Sequence, residues 1–238
     1  MKKYNLLLPI AGKAQRFIDA GYTMPKALIL AKNKHVIDWA MDSIDTNECN
    51  LIFMVRVDHV YNFSIDKILK QKFGEDITIV KLKEVTRGAL ETCTLAREHI
   101  DNDLPLIVYT PDVHFGPVFN PETISADSDG FLLTFTANSP DHSYSEYDQD
   151  GIVTNVVEKE VISKEANVGL YHFKSGKIFL KLSGFWNPWT TCAVAPVTPK
   201  SPPSCKPDKL GTVWSPRAFA PSRSVASGSS LARGASAK

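Results

Sequence analysis

The sequence predicts an α/β fold, a three-layer α/β/α sandwich around a mostly parallel sheet. Three observations predict it. Short apolar runs recur at 4–9 (YNLLLP), 51–57 (LIFMVRV), 77–82 (ITIVKL) and 105–111 (PLIVYTP). Each is too continuous to alternate between core and solvent and so suits a strand buried on both faces. Between them apolar residues recur at helical spacing, as in Val36, Ile37, Ala40 and Ile44, with Asp38, Asp42 and Asp45 on the other side. Strands and helices that alternate in this way build parallel βαβ units, whose ligands lie in the crevice at the carboxyl ends of the strands.

The first strand runs to Pro9 and is followed at once by Ala11, Gly12, Lys13 and Ala14, a small, flexible turn before Gln15. Successive backbone N–H groups in such a turn form a concavity suited to phosphate oxygens. Arg16 then brings a fixed fork of donors and Lys26 a mobile point charge. The spacing is not that of a P-loop, since no GK[ST] closes it. Nor is it a dinucleotide fingerprint, which would need glycines where Ala14 and Phe17 stand. An ordinary turn after a buried strand is the plain alternative.

Residues 65–73 form a helix with its lysines outward, and the segment leaving the third strand is VTRGALETCTLAREHI, 85–100. Thr86, Gly88 and Thr92 bracket the start of a helix whose apolar face is Leu90, Cys93, Leu95, Ala96 and Ile100. Backbone N–H groups at 88–90 would point toward the strand ends, a place for an anion or a base edge; otherwise this is a loop capped by Thr86 or Thr92. Asp112 ends the fourth strand. A carboxylate there suits a Mg²⁺ ligand, and equally a turn or cap residue. His114 either faces the same pocket or is structural.

Residues 131–137 (FLLTFTA) read as a further strand, and 143–159 as a β-hairpin turning at Gln149, Asp150 and Gly151. Its end, Glu158-Lys159, is by itself a surface ion pair. A buried strand at 166–173 (ANVGLYHF) and the start of a helix, KSGKIFLKL, follow.

Composition divides the chain at about residue 183. Residues 1–183 carry 20 basic and 25 acidic side chains, whereas the last 55 carry seven basic and one acidic, with eight of the 15 prolines. The mildly acidic main part argues against a nucleic-acid surface. No apolar run reaches the roughly 20 residues that span a bilayer, and the amino terminus lacks a signal-peptide pattern, so a cytoplasmic enzyme is the simplest expectation. Cys49, Cys93, Cys192 and Cys205 have no CxxC spacing, which indicates neither a zinc site nor a disulfide framework. The division is into a core at 1–183 and a Pro/Ser/Ala-rich basic tail at 184–238, expected to be poorly ordered and reading as a foreign or out-of-frame ending.

The combination PIAGKAQRF followed by GYTMPKALI resembles the signature of the sugar-phosphate nucleotidyltransferases, in which AGxGxR precedes a PK pair. The resemblance covers about three quarters of the chain and implies a Rossmann-like core with a hairpin insertion at the acceptor site. It implies transfer of a nucleoside monophosphate from a nucleoside triphosphate to a phosphorylated small molecule, a place in polysaccharide biosynthesis, Mg²⁺ as cofactor, and no nucleic-acid or membrane partner; self-association is left open. Pro9, Ala11, Gly12, Lys13, Ala14 and Gln15 would wrap the nucleotide, with Arg16 and Lys26 as the catalytic cations. TRGALET resembles the second nucleotide loop, giving Arg87, Gly88 and Ala89. YTPDVHF resembles the metal-binding strand end, giving Asp112. The hairpin end and the NxGxYxF element give Glu158, Lys159, Asn167 and Gly169 on the acceptor side. The chain departs from the pattern at Ala14, where the family has a second glycine, and at Glu160, where it has a proline. A second metal-binding acid is expected from the later region, where Asp208 is the one acid. Two other classes fit less of the pattern: a catalytically impaired nucleotide-binding module, and a nucleotide-sugar glycosyltransferase using Asp127-Ser128-Asp129 as a DxD pair.

Overall fold

The computed structural model describes residues 1–184 except residue 117; the tail expected at 184–238 lies, but for its first residue, outside the described residues, as do Asp208, Cys192 and Cys205. In chain order the elements are β1 Tyr4–Pro9, α1 Gln15–Asp19, β2 Leu30–Ala31, β3 Lys34–His35, α2 Val36–Met41, β4 Cys49–Arg56, α3 Val57–Phe63, α4 Ile65–Phe73 and β5 Thr78–Leu82. They continue with α5 Ala89–Thr94, α6 Arg97–Ile100, β6 Leu106–Tyr109, β7 Gly130–Thr136, β8 Ser143–Tyr147, β9 Val153–Glu158, β10 Glu165–Phe173 and α7 Gly176–Ser183.

Eight strands form one sheet in the order β5-β4-β1-β6-β10-β8-β9, with β7 on the other edge of β10; β2 and β3 form a separate ribbon. The first four are parallel, as the buried apolar runs predict, and the rest antiparallel. Along β1, Leu6 and Leu8 enter one core with Phe53, Val55, Ile107 and Tyr109, while Leu7 enters the opposite core with Ile52, Met54, Leu106 and Val108. Helices cover both faces. Ile37 and Ala40 of α2 and Ile65 and Leu69 of α4 belong to the first core; Cys93 of α5, Ile100 of α6 and Phe179 of α7 belong to the second. This is the expected sandwich, and the two-sided burial explains why those strands are apolar without alternation.

Two details differ from the periodicity. The single helix expected through Ile100 breaks into α5 and α6, with Leu95 54% exposed at the junction. The segment after β4, Val57–Phe63, is helical although Val57 reads as the strand's end. Close approach fixes α7: a Cβ on Gly176 would lie 1.7 Å from the Ile100 carbonyl oxygen, so only glycine lets the two helices meet. Cys49 and Cys93 are buried thiols, and burial pushes them up to about 11 and about 12. No described helix is long and apolar enough to cross a membrane.

β10 also carries His172, 5% exposed, whose Nδ1 has no hydrogen-bond partner among the described residues. Burial lowers its pKa from 6.5 to about 4. Between those values the unfolded chain binds a proton that the folded chain refuses, so stability falls as pH falls through this window, by about 3 kcal/mol in all. Urea unfolding between pH 7 and 4 is expected to show this loss, and His172→Gln to flatten the slope; an unchanged slope in the variant would assign the pH dependence elsewhere.

Candidate active site

The crevice is built where the four parallel strands end. β1 delivers the turn at 11–14, β6 delivers Thr110, Pro111 and Asp112, and β10 crosses beside β6 and supplies the far wall. Among the described residues no hydrogen bond is made by the backbone N–H groups of Ala11, Gly12, Lys13 or Ala14, and Gly12 and Lys13 are exposed. A Cβ on Gly12 would meet nothing within 4 Å, so the protein itself leaves room for a close ligand there. Ala14 closes the turn in the left-handed conformation, φ 51° and ψ 40°, as the residue before α1. Glycine is at home there, and an alanine costs roughly 1 kcal/mol. The glycine that the resemblance implies at this position would take this conformation without strain, whereas this chain takes it with an alanine. Gln15 turns aside to hydrogen-bond Asp19 Oδ1 at 2.9 Å.

Lys26 follows a proline that starts a short 3₁₀ turn, whose Ala27 and Leu28 are buried and anchor it. Its Nζ lies 3.1 Å from Asp112 Oδ2 and 5.6 Å from the centre of the buried Phe17 ring. The 3₁₀ turn at Lys26–Leu28 and the tip of β6 are therefore tied together by charge. The pair is partly exposed, at 28% and 51% for the two side chains, so its worth is positional and its stability contribution is about 0.5 kcal/mol at most. Arg16 and Lys13 are exposed and form no ion pair with a described residue. Lys13 lies within the row of donors and Arg16 two residues past it, while Lys26 stands at the carboxylate; cations and free backbone donors of this kind suit a phosphate chain.

Gly169 sets the position of Asp112. It lies in a register shift of β10 at φ +92°, and its carbonyl accepts from the Thr110 N–H at 2.9 Å and the Thr110 hydroxyl at 3.2 Å. A Cβ on Gly169 would lie 2.3 Å from Thr110 Oγ1. This residue therefore shapes the strand tip, a role additional to the acceptor contact that the resemblance implies. Asp112 in turn donates its N–H to the Thr110 carbonyl at 2.8 Å. No group of three His, Cys, Asp or Glu side chains that could hold a metal ion occurs among the described residues, around Asp112 or elsewhere.

The segment before α5 differs from either cap expectation. Gly88 precedes α5 with extended backbone and open space around its missing Cβ, and Ala89 is exposed. Neither threonine caps the helix: the Thr86 and Thr92 hydroxyls both donate to the Gly88 carbonyl, at 3.2 and 3.0 Å. Arg87 is held by Glu91, which accepts from the Arg87 N–H at 2.6 Å and from its Nε at 3.2 Å. The hydrogen bonds from Arg87 hold the Glu91 carboxyl below its usual value. His114 is structural, its Nδ1 2.6 Å from the Trp39 carbonyl and 3.0 Å from Ser43 Oγ.

On β10 Asn167 is buried two residues before Gly169, and its Oδ1 accepts from Ser145 Oγ at 2.7 Å. Ser145 was invisible to sequence reasoning, being one of several polar residues in the hairpin. Glu158 and Lys159 are exposed and paired with each other at 3.2 Å. The strand register places them two strands from β10, about 10 Å across the sheet. Asp127 and Asp129 sit at the opposite end: Gly130, next to Asp129, pairs with Phe173, which also pairs with Leu106 at the start of β6. Asp129 is held there by Lys174 at 3.1 Å. The DxD reading loses its geometry.

The fold defines the class, the Rossmann-like nucleotidyltransferase architecture, here with antiparallel strands beside the parallel half of the sheet. Solved structures of nucleotidyltransferases and nucleotide-sugar pyrophosphorylases are among those it is similar to. A nucleoside-diphosphate-sugar pyrophosphorylase from Vibrio cholerae RC9 aligns with TM-score 0.63 and 26% identity over 74% of this chain and 76% of that one. The inositol-1-phosphate CTP transferase of T. maritima aligns with TM-score 0.60 and 13% identity, over 75% and 72%. A UDP-glucose pyrophosphorylase from Acinetobacter baumanii gives 0.53 and 16%, over 76% and 77%. No family model and no curated protein matches the chain.

Gly169→Ala is expected to lower stability by about 2–3 kcal/mol, from backbone strain and the clash with Thr110. Adding Thr110→Ala should restore part of that loss by removing the clashing hydroxyl. Urea unfolding of the two variants checks this; a neutral Gly169→Ala would show that the tip is not set by this contact.

Proposed function

We propose that the chain transfers a nucleoside monophosphate from a nucleoside triphosphate to a sugar phosphate or another phosphorylated small metabolite, releasing pyrophosphate. The observation that carries this is the row of backbone donors at 11–14, without hydrogen bonds among the described residues, after β1, together with the Lys26–Asp112 pair at the end of the neighbouring strand β6. The match to nucleotide-sugar pyrophosphorylases supports it at the level of fold.

In the proposed reaction an acceptor phosphate oxygen attacks the α-phosphorus in line, the new P–O bond forms, and the bond to pyrophosphate breaks. The nucleophile is already ionised at neutral pH, so no general base is required and the protein's work is positioning and electrostatics. The 11–14 donors and Arg16 hold the β- and γ-phosphates and stabilise the leaving group. Lys26 exchanges Asp112 for the α-phosphate, where negative charge accumulates. Gly88 and Ala89 leave an open surface for the base, and Asn167, Gly169 and the Glu158–Lys159 pair lie on the acceptor side.

Asp112 fits a Mg²⁺ ion of the substrate-bridged kind. One half-exposed carboxylate at a strand tip leaves the other coordination positions to phosphate oxygens and water, the set this ion prefers. When bound, Mg²⁺ neutralises charge on the phosphates. A second reading, an impaired nucleotide-binding module, is favoured by the strained alanine at position 14.

Pyrophosphate release, assayed with Mg²⁺ from a panel of nucleoside triphosphates against pooled phosphorylated metabolites, tests the proposal. Release is expected to require one nucleotide and one acceptor and to fall at least about 100-fold in Asp112→Asn. Thermal stabilisation by a nucleotide without release would favour the impaired module. Neither response would remove the nucleotide site itself.

A further inference from the structure

Arg56 is the one charged residue in the run 51–57, LIFMVRV, which is otherwise apolar. It ends β4, and the sheet fixes its surroundings. Pro9 pairs with Met54, so Ala11 and Arg56, two residues on from each, stand side by side at the carboxyl ends of β1 and β4. On its other flank Arg56 pairs with Leu82, the last residue of β5, which leads through 83–88 into α5. Ala11, Met54 and Leu82 all belong to the core that holds Cys93 of α5. Residues paired across strands or two apart along one share a face, so Arg56 projects on that same face. In the strand order it stands between the donor turn at 11–14 and the segment that carries Gly88 and Ala89.

Its side chain is only 23% exposed, and a largely shielded guanidinium needs partners. Asp58, in the first turn of α3, takes one side of the fork: Oδ1 accepts from Nε at 2.8 Å and Oδ2 accepts from Nη2. That uses two of the five N–H donors of an arginine. No described residue accepts from the other three. Two of them, one on each Nη, lie parallel at the free end, the arrangement that meets two adjacent acceptors. Asp58 fixes the plane in which they point, because it holds Nε and Nη2 together.

We infer that Arg56 reads the nucleobase, with Asp58 as the positioning residue that holds its fork. A base rather than a phosphate follows from the order across the sheet. Asp112 with Lys26 stands at β6, the donor turn at β1 and Arg56 at β4, about two strand spacings or 10 Å from the β6 end. Phosphates at the Asp112 end leave the base at the Arg56 end, toward Gly88. The fork selects an edge with two adjacent acceptors, which guanine offers at O6 and N7 and cytosine at N3 and O2. Adenine, uracil and thymine alternate acceptors with donors along their edges and meet the fork at one point only. This rests on the crevice being the nucleotide site of the proposed transferase.

Calorimetric titration of the full chain with the Mg²⁺ complexes of GTP, CTP, ATP and UTP, and with pyrophosphate, tests the inference. GTP or CTP is expected to bind at least about tenfold more tightly than ATP and UTP. On the unaltered protein the deaza analogue of the preferred nucleotide, 7-deaza-GTP without N7 or 3-deaza-CTP without N3, is expected to lose that advantage. Arg56→Lys keeps the charge but not the fork; it is expected to bring the preferred nucleotide to the level of ATP and UTP and to leave pyrophosphate binding unchanged. Asp58→Asn, which presents an N–H to one arm of the fork, is expected to lose most of the preference with ATP affinity retained. Should the variants not fold, the analogue comparison decides. Equal binding of the four nucleotides, an analogue as good as its parent, or an unchanged preference in Arg56→Lys would overturn the inference and leave the nucleotide site standing. Equal weakening of nucleotide and pyrophosphate in Arg56→Lys would assign the arginine to phosphate and overturn it as well. Binding of no nucleotide at all would overturn the transferase reading, and the inference with it.

Discussion

The contact on which the site depends is backbone to backbone, between the bulge at Gly169 and the end of β6 at Thr110. It occurs where the sheet changes from parallel to antiparallel. The parallel half makes a crevice because its strands end together, and β10 closes one side by running past those ends in the opposite direction. To turn the corner β10 needs a residue at φ +92° and without a Cβ, and glycine satisfies both demands. From that point the placement of Asp112 downstream of Thr110 and of Asn167 upstream of Gly169 follows. One glycine aligns the proposed metal ligand with the proposed acceptor wall.

Charge then divides the crevice. Lys26 stands between Phe17 and Asp112, held by an apolar anchor beneath and a carboxylate ahead, while Arg16 and Lys13 extend toward solvent. A phosphate chain entering this space would exchange one partly hydrated ion pair for several charge-assisted contacts, a favourable trade because the pair is weak where it is exposed. On the far wall Lys159 is about two strand spacings from β10 and engaged with Glu158.

Much of the architecture was legible in the sequence because burial on both faces leaves a strong mark. β1, β4, β5 and β6 read as uninterrupted apolar runs, and the hairpin was marked by Asp-Gln-Asp-Gly between alternating segments. The positions of Ala11, Gly12 and Asp112 followed from their place at strand ends. What was not legible is what depends on contacts between distant segments. Lys26 and Asp112 are 86 residues apart, and Ser145 and Asn167 are 22 apart on strands whose register no local pattern fixes. The break between α5 and α6 was hidden because the apolar spacing continues through Leu95 although that side chain turns outward. The short helix α3 has no fully buried residue and so no stripe to read. Arg87 looked like a phosphate ligand from its neighbours in the chain; its engagement with Glu91, one turn on, is a helix-start interaction that competes with that role.

The most direct test of the central claim is a backbone amide chemical-shift map of the full chain titrated with Mg²⁺ and each nucleoside triphosphate in turn. Binding at the strand ends predicts that one nucleotide moves the signals of Gly12, Ala14, Ala89 and Asp112 together, with Thr110 and Gly169 following through their shared hydrogen bonds. Saturable shifts confined to other surfaces, or none with any nucleotide, would contradict the account.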